Sequence, residues 1–80
     1  MTDQLAIFKA LANPDRLKIM ELLAATPSLE IARHVQLSQS QTSQHLATLR
    51  RAGLIISKRS GNTILNGINP AVNWPVKVFK

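Results

Sequence analysis

The stretch from Ser38 to Gly53, SQSQTSQHLATLRRAG, constrains this chain more than any other, because both ends of a helix are written into it. Ser38 and Gln41 have the S-x-x-Q spacing of a capping box, in which the Ser hydroxyl and the Gln amide satisfy backbone N–H groups that the first turn leaves unpaired. Gly53 ends the helix, since glycine takes the left-handed conformation just past a C-terminus without steric penalty. Thr42, His45, Leu46 and Leu49 fall at helical spacing on one side, and Ser40, Ser43, Gln44, Ala47 and Arg51 fall largely on the other. A face of small hydroxyls and amides has little reason to be buried and much capacity to hydrogen-bond, which suits a DNA major groove.

The rest of the chain reads as support for that helix. A first helix begins at Thr2 or Asp3 and runs to about Ala12, with Leu5, Phe8, Leu11 and Ala12 in a stripe for the core or a subunit contact. Asn13 and Pro14 then restart the chain as N-cap and first helical residue. The second helix, to about Ala25, is apolar around most of its circumference and is therefore expected at the centre of the fold. Thr26-Pro27 breaks the chain, Ser28 can cap a short third helix from Leu29 to about Val35, and Gln36-Leu37 is a tight connection to Ser38. Short helix, turn and capped helix together make a helix-turn-helix.

After Gly53 the period becomes extended. Leu54–Arg59 and Thr63–Ile68 are strand candidates around Ser60-Gly61-Asn62, where Gly-Asn signals a hairpin because both residues tolerate positive φ. Parity leaves open which side of the second strand meets the core: Ile64 and Ile68 lie on one side with Asn66 between them, Leu65 and Gly67 on the other. Pro75 argues against a continuous helix through the final residues, which read as a turn after Pro70 and an extended Val76–Phe79.

Charge placement says more than the net charge of +6. Residues 1 to 30 hold all four acids against Lys9, Arg16 and Lys18, a sum of −1, whereas residues 31 to 80 hold seven Lys and Arg and no acid, a sum of +7. Such asymmetry points to a polyanion on the second half, with Lys58 and Arg59 near the hairpin tip placed to neutralise phosphates. No apolar run approaches the roughly 20 residues that span a bilayer, and no basic segment precedes an apolar one at the amino terminus, so a cytoplasmic location away from membranes is expected. There is no cysteine, hence no disulfide framework or thiolate metal site. Two histidines alone do not make a tetrahedral site: His45, beside Leu46 and Leu49, suits packing or a phosphate contact, and His34 a helix end or solvent. With the acids confined to the first 30 residues and no Gly-rich phosphate loop, nothing stands out as nucleophile, base or phosphate cradle, and no enzyme activity or cofactor is expected.

Ala10-Leu11-Ala12-Asn13-Pro14-Asp15-Arg16-Leu17, followed by Leu37-Ser38-Gln39-Ser40 through Ser43, His45-Leu46, Leu49-Arg50 and Ala52-Gly53-Leu54, resembles the winged helix-turn-helix repressors of the ArsR/SmtB family over roughly residues 5 to 68. The elements read above make a mainly α fold with a small β-hairpin in one domain over residues 1 to 80, with about four helices and the two-stranded wing that the resemblance implies, and a C-terminal segment too short and proline-interrupted for the full helix the family usually has there. It also implies a homodimeric repressor bound to double-stranded DNA at an inverted repeat. By motif position Gln39, Ser40, Ser43 and Gln44 would read bases and touch phosphates, chemistry that suits them because a Gln amide pairs with adenine and a Ser hydroxyl serves base or phosphate. Gln41 joins them on exposure alone. Where the family commonly carries its metal-sensing cysteines this chain has Pro27 and Leu29, so that mode of sensing is absent. Gln36 stands where Gly is common in the turn, and a positive φ there would strain it. Leu5, Phe8, Val72, Trp74, Val76 and Phe79 are the expected dimer contacts, unless they close the monomer's own core. A winged-helix adaptor that binds another protein, with only non-specific DNA affinity, is the alternative.

Overall fold

A computed structural model describes residues 4–26 and 30–72. In chain order the elements are α1 (Gln4–Leu11), α2 (Pro14–Ala25), a 3-10 turn (Ile31–Arg33), α3 (Gln39–Arg51), β1 (Ile55–Ser60) and β2 (Thr63–Ile68). The strands pair antiparallel, with Ile55 opposite Ile68 and Ser60 opposite Thr63.

α2 starts where its sequence says it should. The Asn13 side-chain oxygen accepts from the backbone N–H groups of Asp15 at 2.9 Å and Arg16 at 3.1 Å, and Pro14 occupies the first turn. Ile19, Met20 and Leu23 of α2 are buried with Ile31, Leu49 and Leu54, so the second helix is central, as its all-round apolarity predicts. Burying each large side chain is worth about 1.5–3 kcal/mol, so these few residues carry the core.

α3 is closed at both ends. Ser38 Oγ accepts from the Gln41 N–H at 3.0 Å while Gln41 Oε1 accepts from the Ser38 N–H at 3.1 Å, completing the capping box. At the other end the Leu54 N–H donates to the Leu49 carbonyl at 3.0 Å and the Gly53 N–H to the Arg50 carbonyl at 2.9 Å, with Gly53 at φ 78°. This pair of bonds is a Schellman motif, and its characteristic apolar pair, Leu49 and Leu54, lies in the core. Asn69 then fastens the end of β2 to the same corner, donating from its backbone to the Leu54 carbonyl and from Nδ2 to the Gly53 carbonyl, each at 3.0 Å.

The third helix expected over Leu29–Val35 is instead a single 3-10 turn, leaving three α-helices among the described residues rather than four. The Arg33 N–H bonds the Glu30 carbonyl at 3.2 Å and the His34 N–H bonds the Ile31 carbonyl at 2.8 Å, both i to i+3. The Glu30 carbonyl also lies 3.1 Å from His34 Nδ1, which must donate because a carbonyl only accepts, and this local bond competes with an α-type partner. A Glu30–Arg33 ion pair at 3.1 Å fits the three-residue repeat of such a turn. The proposed caps Thr2, Asp3 and Ser28 lie outside the described residues. No described residue other than glycine has positive φ, so Gln36 bears no strain and the hairpin turn needs only Gly61, at φ 63°. A two-residue loop with positive φ at its first position alone follows the type II′ pattern.

Replacing Arg16 by Lys keeps the charge but loses the guanidinium's several directed bonds to α1 and α3, described below, and should lower unfolding free energy in urea by about 1–3 kcal/mol. Gly53→Ala should cost about 1 kcal/mol through backbone conformation alone, because a Cβ added at Gly53 meets no heavy atom within 4 Å.

Candidate nucleic-acid interface

One face of α3 is packed and the other is free. Thr42 and Leu49 are buried, and His45 and Leu46 are half-buried beside them. Gln39, Ser40, Gln41, Ser43 and Gln44 are all exposed. At 100° per residue Ser40, Gln44 and Arg51 lie nearly opposite the buried side, with Gln39, Ser43 and Arg50 along one flank. Gln41 stands apart from the other four, since its side-chain oxygen is held by the capping box. No acid interrupts this helix, and Arg50 and Arg51 fall in its last turn.

What turns the polar face outward is Arg16. Its Nε donates to the Ala10 carbonyl, its Nη2 to the Lys9 carbonyl at 3.2 Å, and its Nη1 lies 3.2 Å from His45 Nδ1. A guanidinium only donates, so His45 Nδ1 accepts and its Nε2 carries the proton, facing the Asp15 carboxylate at 3.7 Å. His45 therefore packs between α2 and α3, the first of its two expected roles. His34 is exposed on the 3-10 turn. Among the described residues no group of three or more His, Cys, Asp or Glu could hold a metal ion. Pro27 and Leu29 lie outside the described residues.

The wing divides its charges. Lys58 pairs with Leu65 and Arg59 with Ile64, so the two cations, both exposed, point to opposite faces of the hairpin. Arg59 shares its side with Ser57, Ile64 and Asn66, the side that looks toward α3, whereas Lys58 is on the far side.

The parity left open by sequence is settled by Asn66, only 2% exposed. Its Oδ1 accepts from the hydroxyl of its cross-strand partner Ser57 at 2.8 Å, and the Ser57 oxygen accepts from Arg50 Nη1 at 3.1 Å. Arg50 thus ties the end of α3 to both strands, and Ile68 packs against the core on the same side while Ile64 is 51% exposed nearer the tip. Sequence reasoning missed this relay. Arg50 sits seven residues after Ser43 and eleven after Gln39, a helical spacing that places all three on one flank, but nothing local marks Asn66 as buried.

A family model described as bacterial regulatory protein, arsR family, matches residues 13–57. The chain belongs to this family. Among its relatives, the HTH-type transcriptional regulator YgaV of Escherichia coli (strain K12) is 43% identical over an alignment of 79 positions that covers 94% of this chain and 80% of YgaV. The transcriptional repressor SdpR of Bacillus subtilis (strain 168) is 35% identical over 75 residues, 85% of this chain and 83% of SdpR. The structure of HlyU from Vibrio cholerae N16961 matches with a TM-score of 0.78 and 34% identity, over 95% of this chain and 82% of HlyU. Other relatives are longer, and the chain spans 61% and 56% of two of them. The arsR family comprises transcriptional regulators rather than enzymes, and no described helix is long and apolar enough to cross a membrane. The matched residues 13–57 run from the Asn13 cap to Ser57, so they contain Arg16, its partner His45, α3 and Arg50.

Asn66→Ala should destabilise the chain by about 1–3 kcal/mol in urea melts, because it strips the buried partner from Ser57, whereas Ile64→Ala on the exposed part of the same strand should stay within about 0.5 kcal/mol. The reverse order would mean that the strand is turned over.

Proposed function

We propose that the chain is a sequence-specific regulator of transcription that lays α3 in the major groove of double-stranded DNA, most often as a repressor and as a homodimer on an inverted repeat. The observation that carries this reading is the exposed, acid-free face of α3, where the side chains of Gln39, Ser40, Ser43 and Gln44 have no partner among the described residues. Gln amides can meet adenine N6 and N7 together, and Ser hydroxyls can meet bases or phosphates. Gln41 borders the same face with its amide nitrogen, its oxygen being used in the cap. Arg59 on the α3 side of the wing and Lys58 on the far side would take phosphates on either side of the hairpin, adding affinity without sequence information. Repression is favoured by SdpR's name, although HlyU of Vibrio cholerae is named a transcriptional activator.

Leu5 and Phe8, 60% and 65% exposed on α1, support dimerisation through that helix. Val72, also expected there, packs against the monomer core, and Trp74, Val76 and Phe79 lie outside the described residues. In a dimer of this kind the half-site centres lie about 10 bp apart, one helical turn.

Selection of bound duplexes from a random pool, with the mass of the complex measured alongside, tests both parts. Gln44→Ala should relax preference at one or two base pairs. Arg59→Ala should weaken all duplexes alike and reduce the salt slope by about one. Equal loss of selected and random binding in Gln44→Ala would remove the base-reading role, and weak, sequence-indifferent binding by the unaltered chain would favour a protein-binding adaptor. Phe8→Glu should shift sedimentation from dimer to monomer; an unchanged dimer would place the interface elsewhere.

A further inference from the structure

Between α3, the 3-10 turn and the wing lies a cavity of about 510 Å³. That volume falls in the range, about 300–1,000 Å³, of sites that hold small molecules. Its apolar lining comes from Ile31, Leu37, Leu46 and Ile64. Polar groups converge on it from Thr42, Asn66 and Arg50.

Two of these polar groups are built in rather than on the surface. Thr42 is only 4% exposed, and its hydroxyl has no hydrogen-bond partner among the described residues. No sealed side-chain polar atom lacks a partner, so this hydroxyl must open onto the space it lines, which is the cavity. Asn66 is 2% exposed and uses its Oδ1 on Ser57, which leaves the Nδ2 donors directed away from that bond. Both groups are therefore open to hydrogen-bonding by whatever fills the cavity, water or a ligand.

The donors set the sign of the ligand. Arg50 gives one bond to Ser57 and has no carboxylate within ion-pair distance among the described residues. Glu30, the one acid on the lining, is already paired with Arg33 at 3.1 Å. Arg50, Asn66 and Thr42 therefore offer a cation and neutral donors to an acceptor that carries negative charge. The apolar walls favour an acceptor attached to a hydrocarbon body over a bare inorganic anion or a duplex phosphate.

We propose that this cavity binds a small organic acid, its carboxylate on Arg50, Asn66 and Thr42 and its apolar body against Leu46, Ile31 and Ile64. Gln39 and Ser43 stand on the rim, so a bound acid alters the face assigned to DNA and releases the duplex. This release rests on the DNA-binding reading above; the binding site itself does not.

Octanoate is the probe, titrated into the full chain labelled with ¹⁵N. Saturable amide shifts should be confined to residues 30–32, 37–50, 57 and 64–66, and should include the Asn66 side-chain amide. Octanol, octylammonium and inorganic phosphate should leave these signals unmoved, because each lacks either the charge or the apolar body. Arg50→Gln should weaken octanoate at least tenfold, and Thr42→Val, which keeps the side chain's shape, about threefold or more, with both variants' spectra reporting that the fold persists. Equal shifts from octanol or octylammonium, shifts elsewhere, or unchanged affinity in both variants would overturn the site. In a second arm a labelled duplex from the selected pool is bound first. Octanoate should raise its apparent Kd in the unaltered chain and raise it less in Thr42→Val at the same concentration, whereas octanoate bound with the duplex undiminished overturns the release. A chain that binds octanoate as described but no duplex supports the site and removes the DNA reading instead.

Discussion

The orientation of the outward-facing helix depends on the guanidinium of Arg16. The C-terminal carbonyls of α1 have no acceptor role left within their own helix, and an α-helix end without partners is unfavourable when it is packed against another element. Arg16 supplies donors to two of them, at Lys9 and Ala10, and still has one nitrogen for His45 on α3. It can do so because Asn13 and Pro14 fix where α2 begins, which places Arg16 in the first turn, beside the helix that has just ended. A single planar cation therefore sets three helices relative to one another. The two halves of the family signature, far apart in sequence, touch here through Arg16 and His45.

That geometry accounts for what could be read from sequence and what could not. The bounds of α2 and α3, the capping box, the Gly53 stop and the hairpin register are decided by neighbours a few residues away, and Asn13, Ser38, Gly53 and Gly61 stand where local chemistry puts them. The short third helix was overestimated because apolar spacing at Ile31, Ala32 and Val35 does not register that His34 and Arg33 both turn back on the Glu30 carbonyl. The inward face of β2 was illegible because Asn66 is buried by a partner, Ser57, whose own hydroxyl is fixed by Arg50 from another element. Exposure of the proposed contact residues was legible from helical phase; the split between Lys58 and Arg59 follows from strand parity but matters only once the wing's side toward α3 is known.

Rigidity is distributed to suit a reading surface. α3 is capped at its first turn, closed by a Schellman motif at its last, and joined to the wing by Arg50 on one side and by Asn69 at the base. Apart from Arg51 in its last turn, the side chains on its free face are short or amide-bearing, so the proposed recognition would fall to groups whose backbone is held in place. The opposite arrangement, a mobile helix with long charged side chains, would favour affinity for any duplex over discrimination among them.

Arg50 has two demands on it, and they are connected. One nitrogen holds the wing through Ser57, and Arg50 also lines the cavity beside Gln39 and Ser43. An anion drawn to Arg50 competes for the same guanidinium that fixes the wing, so occupancy of the cavity and placement of the wing cannot be independent. Linkage makes the coupling reciprocal: whatever factor a ligand takes from duplex affinity, the duplex takes from ligand affinity. In this fold the Thr42 hydroxyl, without a partner among the described residues, and the Arg50 guanidinium are placed where binding in the cavity would be felt by both α3 and the wing.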